Sequence, residues 1–195
     1  MQTVLLEKRE GFALITLNRP QAMNALSREL RRDFVAAFEN CQEDEATRVI
    51  ILTGNGPAFC AGFDLKELGS NNSEHAAEEV DNKLARAMEA FDGPIIGAIN
   101  GHCITGGFEM ALACDVLIAS ENARFADTHA RVGMLPGWGL SQKLPRLIGL
   151  SRAREIAFTG TPVPAQQAYE WGLVNHVVPA AQLLDKAVAM AEEMC

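Results

Sequence analysis

The sequence has few aromatic residues, no long hydrophobic run and no CxxC pair. Phe, Trp and Tyr together make up 6% of the 195 residues. The five cysteines are odd in number and widely spaced, which argues against a disulfide framework and against a zinc site. No apolar stretch is long enough to span a bilayer, and the first residues lack the basic-then-apolar order of a signal peptide. These absences predict a cytoplasmic protein with buried free thiols, no bound metal and no membrane partner.

Positive charge is also scarce. The sequence holds 17 Lys and Arg against 25 Asp and Glu, a formal net charge of −8. Nucleic acid requires a basic surface, so we do not expect it as a partner, whereas a small anionic ligand held by a few local basic residues stays compatible. The length and a hydrophobic content of 48% predict one well-packed domain over residues 1–195.

Alternating strand-like and helix-like segments predict an α/β fold. Apolar runs predict strands over residues 3–8, 12–17, 49–53, 94–99 and 115–119. Helical spacing predicts a helix after Ser27 as its N-cap, and further helices over residues 141–148, 152–158, 165–170 and 181–194. Another helical stripe runs through Ala76, Val80, Leu84, Met88 and Phe91.

The last predicted helix carries its own apolar stripe, formed by Leu184, Val188, Ala191 and Met194. Such a stripe needs a partner. Either this helix docks on the body of the domain, or more chain normally follows it.

Two glycine-bearing stretches carry most of the functional information. Residues 59–66 read FCAGFDLK, and residues 105–115 read TGGFEMALACD. Each places small residues before a helix-like run, so each can direct an unpaired backbone N–H at a ligand, and two converging donors make an oxyanion hole. Glu109 lies one turn into the second helix among apolar neighbours, which predicts a buried carboxylate. The combination suggests an enzyme that stabilises an enolate-like anion and moves protons beside it.

The sequence resembles the crotonase, or enoyl-CoA hydratase/isomerase, family along nearly its whole length. The matching motifs occur in family order: LNRP at 17–20, NAL at 24–26, FCAGFDLK at 59–66, ING at 99–101, GGFEMALACD at 106–115, FAD at 125–127, GMLPG at 133–137 and GLV at 172–174. The resemblance implies a spiral of ββα units assembled as a homotrimer or as paired trimers. It also implies a helical C-terminal segment that closes the site, and we expect that segment to be absent or truncated in this chain.

The resemblance further implies an acyl-CoA thioester substrate and no separate cofactor, because CoA enters as part of the substrate. The backbone N–H groups of Phe63 and Gly106 would polarise the thioester carbonyl, and Glu109 would hold or deprotonate the water that attacks C3. The implied substrate contacts are Ala61 at the adenine, Asp64, Leu65 and Lys66 at the entrance, and Arg19 at a CoA phosphate. Capping by Asp64 and simple solvation of Lys66 are equally open alternatives.

The sequence departs from the family pattern at His129, four residues after Phe125. A typical hydratase has a second glutamate at this position, which delivers a proton to C2. A histidine, whose unperturbed pKa is ~6.5, can do the same work with a bulkier ring. A purely structural His129 stays open, as does Asp127 as a substitute acid. Trp138 and Leu140 are also larger than the family norm, so they either reshape the acyl pocket or pack against the C-terminal segment.

We therefore hypothesise an enoyl-CoA hydratase, a lyase that adds water across the 2,3 double bond of a trans-2-enoyl-CoA. Two alternatives remain. A double-bond isomerase needs one proton-shuttling base, whose usual position is that of His129. A non-catalytic acyl-CoA-binding homologue would have lost its activity with the second glutamate.

Overall fold

The computed structural model describes residues 2–68 and 82–195. Its strands are β1 (Val4–Lys8), β2 (Phe12–Leu17), β3 (Val49–Gly54), β4 (Ala58–Cys60), β5 (Ile95–Ile99), β6 (His102–Ile104), β7 (Val116–Ser120), β8 (Arg124–Ala126), β9 (Val163–Pro164) and β10 (His176–Val178). Its helices are α1 (Arg28–Gln42), α2 (Leu65–Leu68), α3 (Lys83–Glu89), α4 (Gly106–Ala113), α5 (His129–Val132), α6 (Leu140–Ile148), α7 (Leu150–Thr159), α8 (Ala165–Glu170) and α9 (Leu183–Met194).

The strands form two sheets. A six-stranded sheet has the order β1-β2-β3-β5-β7-β10, and only the β1–β2 pair in it is antiparallel. A four-stranded sheet has the order β4-β6-β8-β9, in which β4, β6 and β8 are parallel and β9 is antiparallel to β8. The larger sheet contains the long apolar strands, and the smaller one is built from strands of two or three residues.

The chain passes back and forth between these sheets. β3, β5 and β7 belong to the larger sheet, and each is followed at once by a strand of the smaller sheet, β4, β6 or β8. Helices follow each pair of strands. This repeated ββα order is the spiral that the resemblance to the crotonase family implies, and it confirms the predicted fold.

The longer predicted elements are confirmed with small shifts at their ends. The Ser27 hydroxyl caps α1 by accepting a hydrogen bond from the backbone N–H of Leu30 at 3.2 Å. The buried face of α1 carries Leu30, Phe34, Ala37, Phe38 and Cys41. Of the predicted stripe before β5, α3 holds Leu84 and Met88, while Ala76 and Val80 lie outside the described residues.

The last helix docks on the six-stranded sheet, and the predicted stripe is confirmed in part. Ala191 is buried against the sheet and Val188 packs beside it, whereas the other two predicted positions do not face the sheet. The buried side chains of α9 are Leu183, Ala187 and Ala191, which join a cluster with residues of β2, β3, β5 and β7. Leu184 and Met194 are 42% and 40% exposed. Positions i, i+4 and i+8 face the sheet because small alanines allow close approach of the helix to the strands.

Asn24 joins the segment after β2 to β4. Its side chain is fully buried and donates hydrogen bonds to the carbonyl oxygens of Asn55 at 3.0 Å and Ala58 at 2.7 Å. Two residues later, the backbone N–H of Leu26 donates to the carbonyl of Gly62 at 2.8 Å. These bonds fix the loop that follows β4. No helix within the described ranges is long and apolar enough to cross a bilayer.

Gly107→Ala tests how closely the two loops are packed. A Cβ at Gly107 would lie 2.2 Å from the carbonyl oxygen of Cys60. Replacing glycine by alanine in a helix normally stabilises the helix by about 1 kcal/mol. Here we expect the replacement to lower the free energy of unfolding by ~1–3 kcal/mol, because the new Cβ overpacks the site. Gly137→Ala is the matched control, since a Cβ there meets nothing within 4 Å among the described residues. Denaturant unfolding decides the sign, and a stabilised Gly107→Ala variant would contradict the packing described.

Candidate active site

Three segments that bear the predicted site residues leave the same edge of the four-stranded sheet. β4, β6 and β8 are parallel neighbours there. Phe63 lies just after β4, Gly106 just after β6 and His129 just after β8. Because the carboxyl ends of parallel strands meet at one edge of a sheet, the fold brings these residues together.

The loop after β4 contacts the start of α4. Gly62 has a φ of 87°, and a Cβ there would lie 3.1 Å from the carbonyl oxygen of Ile104 and 3.4 Å from the backbone nitrogen of Gly106. A glycine permits both this conformation and this approach. Phe63 follows directly. Within residues 2–68 and 82–195, the backbone N–H groups of Phe63 and Gly106 donate to no protein acceptor, so both can serve an oxygen of a ligand.

Thr105 holds a strained backbone conformation at the start of α4. Its φ of 54° and ψ of −111° are rare for a β-branched residue and mark stored strain. Its hydroxyl lies 2.5 Å from the hydroxyl of Thr128 and accepts the backbone N–H of Thr128 at 3.2 Å. The Gly106 loop and the His129 loop are therefore held at a fixed spacing.

Glu109 is buried in α4, with 1% of its surface exposed. Its Oε1 accepts the backbone N–H of Trp138 at 2.7 Å and that of Leu140 at 3.3 Å. Its Oε2 lies 3.4 Å from Nε2 of His129. One carboxylate oxygen is thus held by the backbone, and the other faces the imidazole ring.

His129 lies between two carboxylates. Nδ1 of the ring is 2.6 Å from Oδ1 of Asp127, and the same oxygen accepts the backbone N–H of His129 at 3.0 Å. His129 and Asp127 are each 3% exposed. The three side chains form a buried row of ionisable groups in the order Asp127, His129, Glu109, which we call the acid–base line.

The two carboxylates keep the His129 ring protonated at neutral pH. Burial is the largest single influence and works to lower the pKa, because it disfavours the charged ring. Hydrogen bonds to Asp127 and Glu109, together with their charges, outweigh burial and raise the pKa of His129 to about 9. The ring is therefore an acid with its proton in place at pH 7.

Two aromatic rings lie beside the backbone donors. The rings of Phe63 and Trp138 have centroids 5.3 Å apart. A Cβ built on Gly106 would lie 3.6 Å from Cζ3 of Trp138. Trp138 is 9% exposed, so its indole forms an apolar wall against both donor residues.

Arg19 and Asp64, two of the predicted substrate contacts, bind each other. Both terminal nitrogens of the Arg19 guanidinium, Nη1 and Nη2, lie 3.1 Å from Oδ2 of Asp64, and Nη1 also donates to the carbonyl of Ala25 at 2.7 Å. Oδ1 of Asp64 accepts the backbone N–H of Lys66 at 3.2 Å, so Asp64 also caps the short helix α2. A CoA phosphate contact by Arg19 stays a prediction, since protein groups hold its guanidinium in this structure.

The other predicted contacts border the loop after β4. The backbone N–H of Ala61 donates to the carbonyl of Met23 at 3.0 Å. Leu65 is 60% exposed and Lys66 is exposed beside it. These positions are compatible with the rim of a binding site, and their contacts with CoA stay predictions.

An apolar cavity of about 430 Å³ borders the His129 side of the acid–base line. Its walls come from the segment 134–136 and from α6 and α7, including Met134, Leu140 and Leu144. The cavity is wide enough for a small apolar group beside the imidazole.

The buried cysteines provide no nucleophile. Burial raises the pKa of the Cys60 thiol to about 12 and that of Cys103 well above its usual range. A thiol in this state stays protonated and unreactive. Within residues 2–68 and 82–195, no group of His, Cys, Asp and Glu side chains is arranged to hold a metal ion.

Sequence reasoning considered Asp127 as an acid and missed its contact with His129. The Asp-x-His spacing at 127–129 was a usable signal, because an Asp side chain commonly bonds groups two residues on. The hydrogen bond between the hydroxyls of Thr105 and Thr128 could not be predicted in this way, because the two residues lie 23 positions apart in the sequence.

We expect the charged His129 ring to stabilise the folded protein. Since its pKa of about 9 exceeds 6.5, the stabilisation is complete below pH 6.5 and is lost as the pH rises through 9, to a total of at most ~3 kcal/mol. Urea unfolding of wild type and His129→Asn between pH 6 and 10 should show a free-energy difference that shrinks with rising pH. The exposed His102 offers the matched control, His102→Asn. A difference that stays constant over the range would contradict a charged His129.

Comparison with known proteins agrees with this geometry. Residues 7–195 match the family described as Enoyl-CoA hydratase/isomerase. The chain is 47% identical over 182 residues to a protein of Arabidopsis thaliana named probable enoyl-CoA hydratase 1, peroxisomal, across 93% of this chain and 68% of that protein.

Solved structures share the fold. An enoyl-CoA hydratase from Mycobacterium avium has a TM-score of 0.88 at 48% identity, with 98% of this chain and 80% of that chain covered. A monofunctional enoyl-CoA isomerase from M. smegmatis has a TM-score of 0.85 at 37% identity, with 100% and 85% covered. With its ββα spiral and these similarities, the chain is an enzyme that belongs to the enoyl-CoA hydratase/isomerase, or crotonase, family.

Proposed function

We propose that this enzyme adds water across the 2,3 double bond of a trans-2-enoyl-CoA thioester. The observation that carries the proposal is the buried contact of 3.4 Å between Glu109 and His129, next to two backbone donors. Hydration needs one group that takes a proton from water and another that gives a proton to carbon. A carboxylate beside an imidazolium supplies both.

The backbone N–H groups of Phe63 and Gly106 are the proposed oxyanion hole. Attack of water at C3 moves negative charge to the thioester oxygen, and donors fixed in advance stabilise it. Loss of one such donor typically costs ~3–4 kcal/mol. Gly106 is the first residue of α4, so the positive end of the helix dipole adds to this stabilisation.

Proton movement follows from the contacts of Glu109. Since two backbone groups occupy Oε1, Oε2 is the oxygen that takes a proton from the attacking water, whose oxygen bonds to C3. Nε2–H of His129 then gives its proton to C2, and the electron pair of the enolate forms the new C–H bond. The proton on Glu109 passes to Nε2 across the 3.4 Å contact and restores the resting state.

Isomerisation of the double bond is the second candidate, because the chain also resembles a monofunctional enoyl-CoA isomerase. That reaction needs a base that removes a proton from carbon. The pKa of His129, raised to about 9, leaves the ring protonated at neutral pH, which suits an acid better than a base. Hydration is therefore the better supported reaction. A non-catalytic acyl-CoA-binding protein would have no use for a buried line of three charged groups.

We extend the proposal to the surroundings of the site. The CoA moiety binds along residues 61–66, with Ala61 at the adenine and Asp64, Leu65 and Lys66 at the entrance. CoA enters only as part of the substrate, with no separate cofactor. Assembly as a homotrimer or as paired trimers, a cytoplasmic location, and the lack of nucleic-acid or membrane partners belong to the same proposal.

Glu109→Gln should abolish hydration. The amide keeps an oxygen for the two backbone donors but cannot accept the water proton, so kcat should fall by ~10²–10⁴. The assay follows loss of the conjugated enoyl absorbance and the product mass with crotonyl-CoA and a longer trans-2-enoyl-CoA. Glu121→Gln, at an exposed carboxylate in the turn after β7, is the matched control.

Each outcome of this assay separates the hypotheses. Turnover retained by Glu109→Gln would remove Glu109 from the chemistry. Wild-type protein that only shifts double bonds would be an isomerase. Wild-type protein that binds acyl-CoA in calorimetry without any turnover would be a binding protein.

Trp138→Leu should widen acyl-chain preference. Its indole packs against Phe63 and Gly106, so a shorter side chain opens space next to the reacting thioester. We expect the ratio of kcat/KM for a longer enoyl-CoA to that for crotonyl-CoA to rise by about 10-fold or more. The backbone N–H that binds Glu109 is unaffected by this change. Trp171→Leu, at a half-buried indole that stacks on Arg152, is the control. An unchanged ratio in Trp138→Leu would show that the indole does not border the acyl chain.

A further inference from the structure

Asp127 contacts His129 twice through one oxygen. Oδ1 accepts the backbone N–H of His129 at 3.0 Å and lies 2.6 Å from Nδ1 of the ring. A carboxylate accepts hydrogen bonds at neutral pH, so Nδ1 carries a proton in this contact. The backbone bond and the ring bond together fix both the position of His129 and the rotation of its ring.

The position of Asp127 is itself fixed by the fold. It follows β8 directly, and β8 is paired on both sides, with β6 and with β9. His129 opens α5 two residues later. Strand pairing therefore fixes the backbone directly before Asp127, so its carboxylate can hold the ring in a fixed place.

Because the ring is rigid, the contact at Nδ1 determines the direction in which Nε2 points. Nε2 faces Oε2 of Glu109 at 3.4 Å. A ring flipped by 180° about its χ2 axis would instead turn carbon atoms toward both carboxylates and remove both contacts. Only one ring orientation satisfies Asp127 and Glu109 at the same time.

We propose that Asp127 is a positioning residue, which holds the His129 ring with Nε2–H directed at the reacting carbon and at Glu109. This inference rests on the proposed hydratase function, since it assigns the orientation of the acid in that reaction. In this role Asp127 acts through the His129 ring and does not itself transfer a proton. The proton that moves to C2 leaves from Nε2, and the proton on Nδ1 stays in place.

Two charged groups contact the ring, Glu109 on α4 and Asp127 directly after β8. Arg154 of α7 lines the cavity that His129 borders. Loss of the Asp127 charge removes one of the two carboxylates that stabilise the imidazolium. The proton would then be lost at lower pH, while the ring would also gain rotational freedom.

Asp127→Asn tests the proposal with little change in shape. The amide oxygen can still accept the backbone N–H of His129, but the negative charge at Nδ1 is gone. We expect kcat for enoyl-CoA hydration to fall by roughly 10- to 100-fold, short of the ~10²–10⁴ that a complete general acid contributes. KM should change little, and the alkaline limb of the kcat–pH profile should move to lower pH.

The matched control is Asp115→Asn. Asp115 is another carboxylate whose oxygen accepts a backbone N–H, that of Ile95 at 2.8 Å, and it lies outside the acid–base line. This variant should keep the wild-type pH profile. A general effect of removing a structural carboxylate would instead lower activity in both variants without moving the alkaline limb.

The protonation of the two ring nitrogens can also be measured directly in the wild-type protein, so this test does not depend on whether a variant folds. Nitrogen-15 NMR of labelled histidine should show His129 with Nδ1 protonated below and above its titration, and with Nε2 losing the proton. Loss of the proton from Nδ1 first would overturn the proposal. In Asp127→Asn the titration midpoint should fall by a pH unit or more.

The outcomes separate the two proposals. Wild-type protein that hydrates no enoyl-CoA overturns the hydratase function, and the positioning role of Asp127 falls with it. Wild-type protein that is active, with an Asp127→Asn variant that keeps both its kcat and its pH profile, overturns only the role of Asp127.

Discussion

The site depends on one constraint, the parallel pairing of three very short strands. β4, β6 and β8 lie side by side in the smaller sheet, so the residues that follow them leave from one edge. That edge receives one proposed oxyanion donor from the first loop, one from the second and the histidine from the third. The larger sheet and the helices keep these strands in register, and the hydroxyl pair of Thr105 and Thr128 sets the spacing between the last two loops.

Burial and charge have to be balanced at this edge. Taking two carboxylates and an imidazolium out of water is costly, and their attraction offsets the cost only when each remaining polar atom has a partner. One oxygen of Glu109 accepts hydrogen bonds from the backbone N–H groups of Trp138 and Leu140. One oxygen of Asp127 accepts the backbone N–H of His129 in addition to its contact with the His129 ring. The acid–base line is therefore held largely by backbone donors, which need no reorganisation when charge moves during the reaction.

The sequence predicted long, periodic elements and missed short ones. β2, α1 and α6 were predicted close to their observed bounds, because their apolar residues repeat at one period. Strands of two or three residues carry no measurable period, so the smaller sheet could not be predicted from pattern alone. In α9 the stripe was predicted correctly at only two of its four positions. Leu184 and Met194 are exposed, and the buried Ala187 was missed because alanine is a weaker apolar signal than leucine or methionine. Residue types at the site were easier to predict than contacts, since the motifs around Glu109 and the glycine loops are local. The contact between Glu109 and His129 joins residues 20 positions apart, and only the pairing of β6 with β8 brings them together.

The proposed use of a histidine where a typical hydratase has a second glutamate changes the charge arrangement of the site. Two carboxylates at contact distance repel, so one of them must hold a proton and its pKa rises. Glu109 and His129 attract each other instead, and in the proposed reaction the acid is a cation that also favours the negative charge developing on the substrate. A ring, however, has two nitrogens, and only one serves when it points the right way. Asp127 selects that nitrogen, so the histidine and the aspartate two residues before it act as one functional unit.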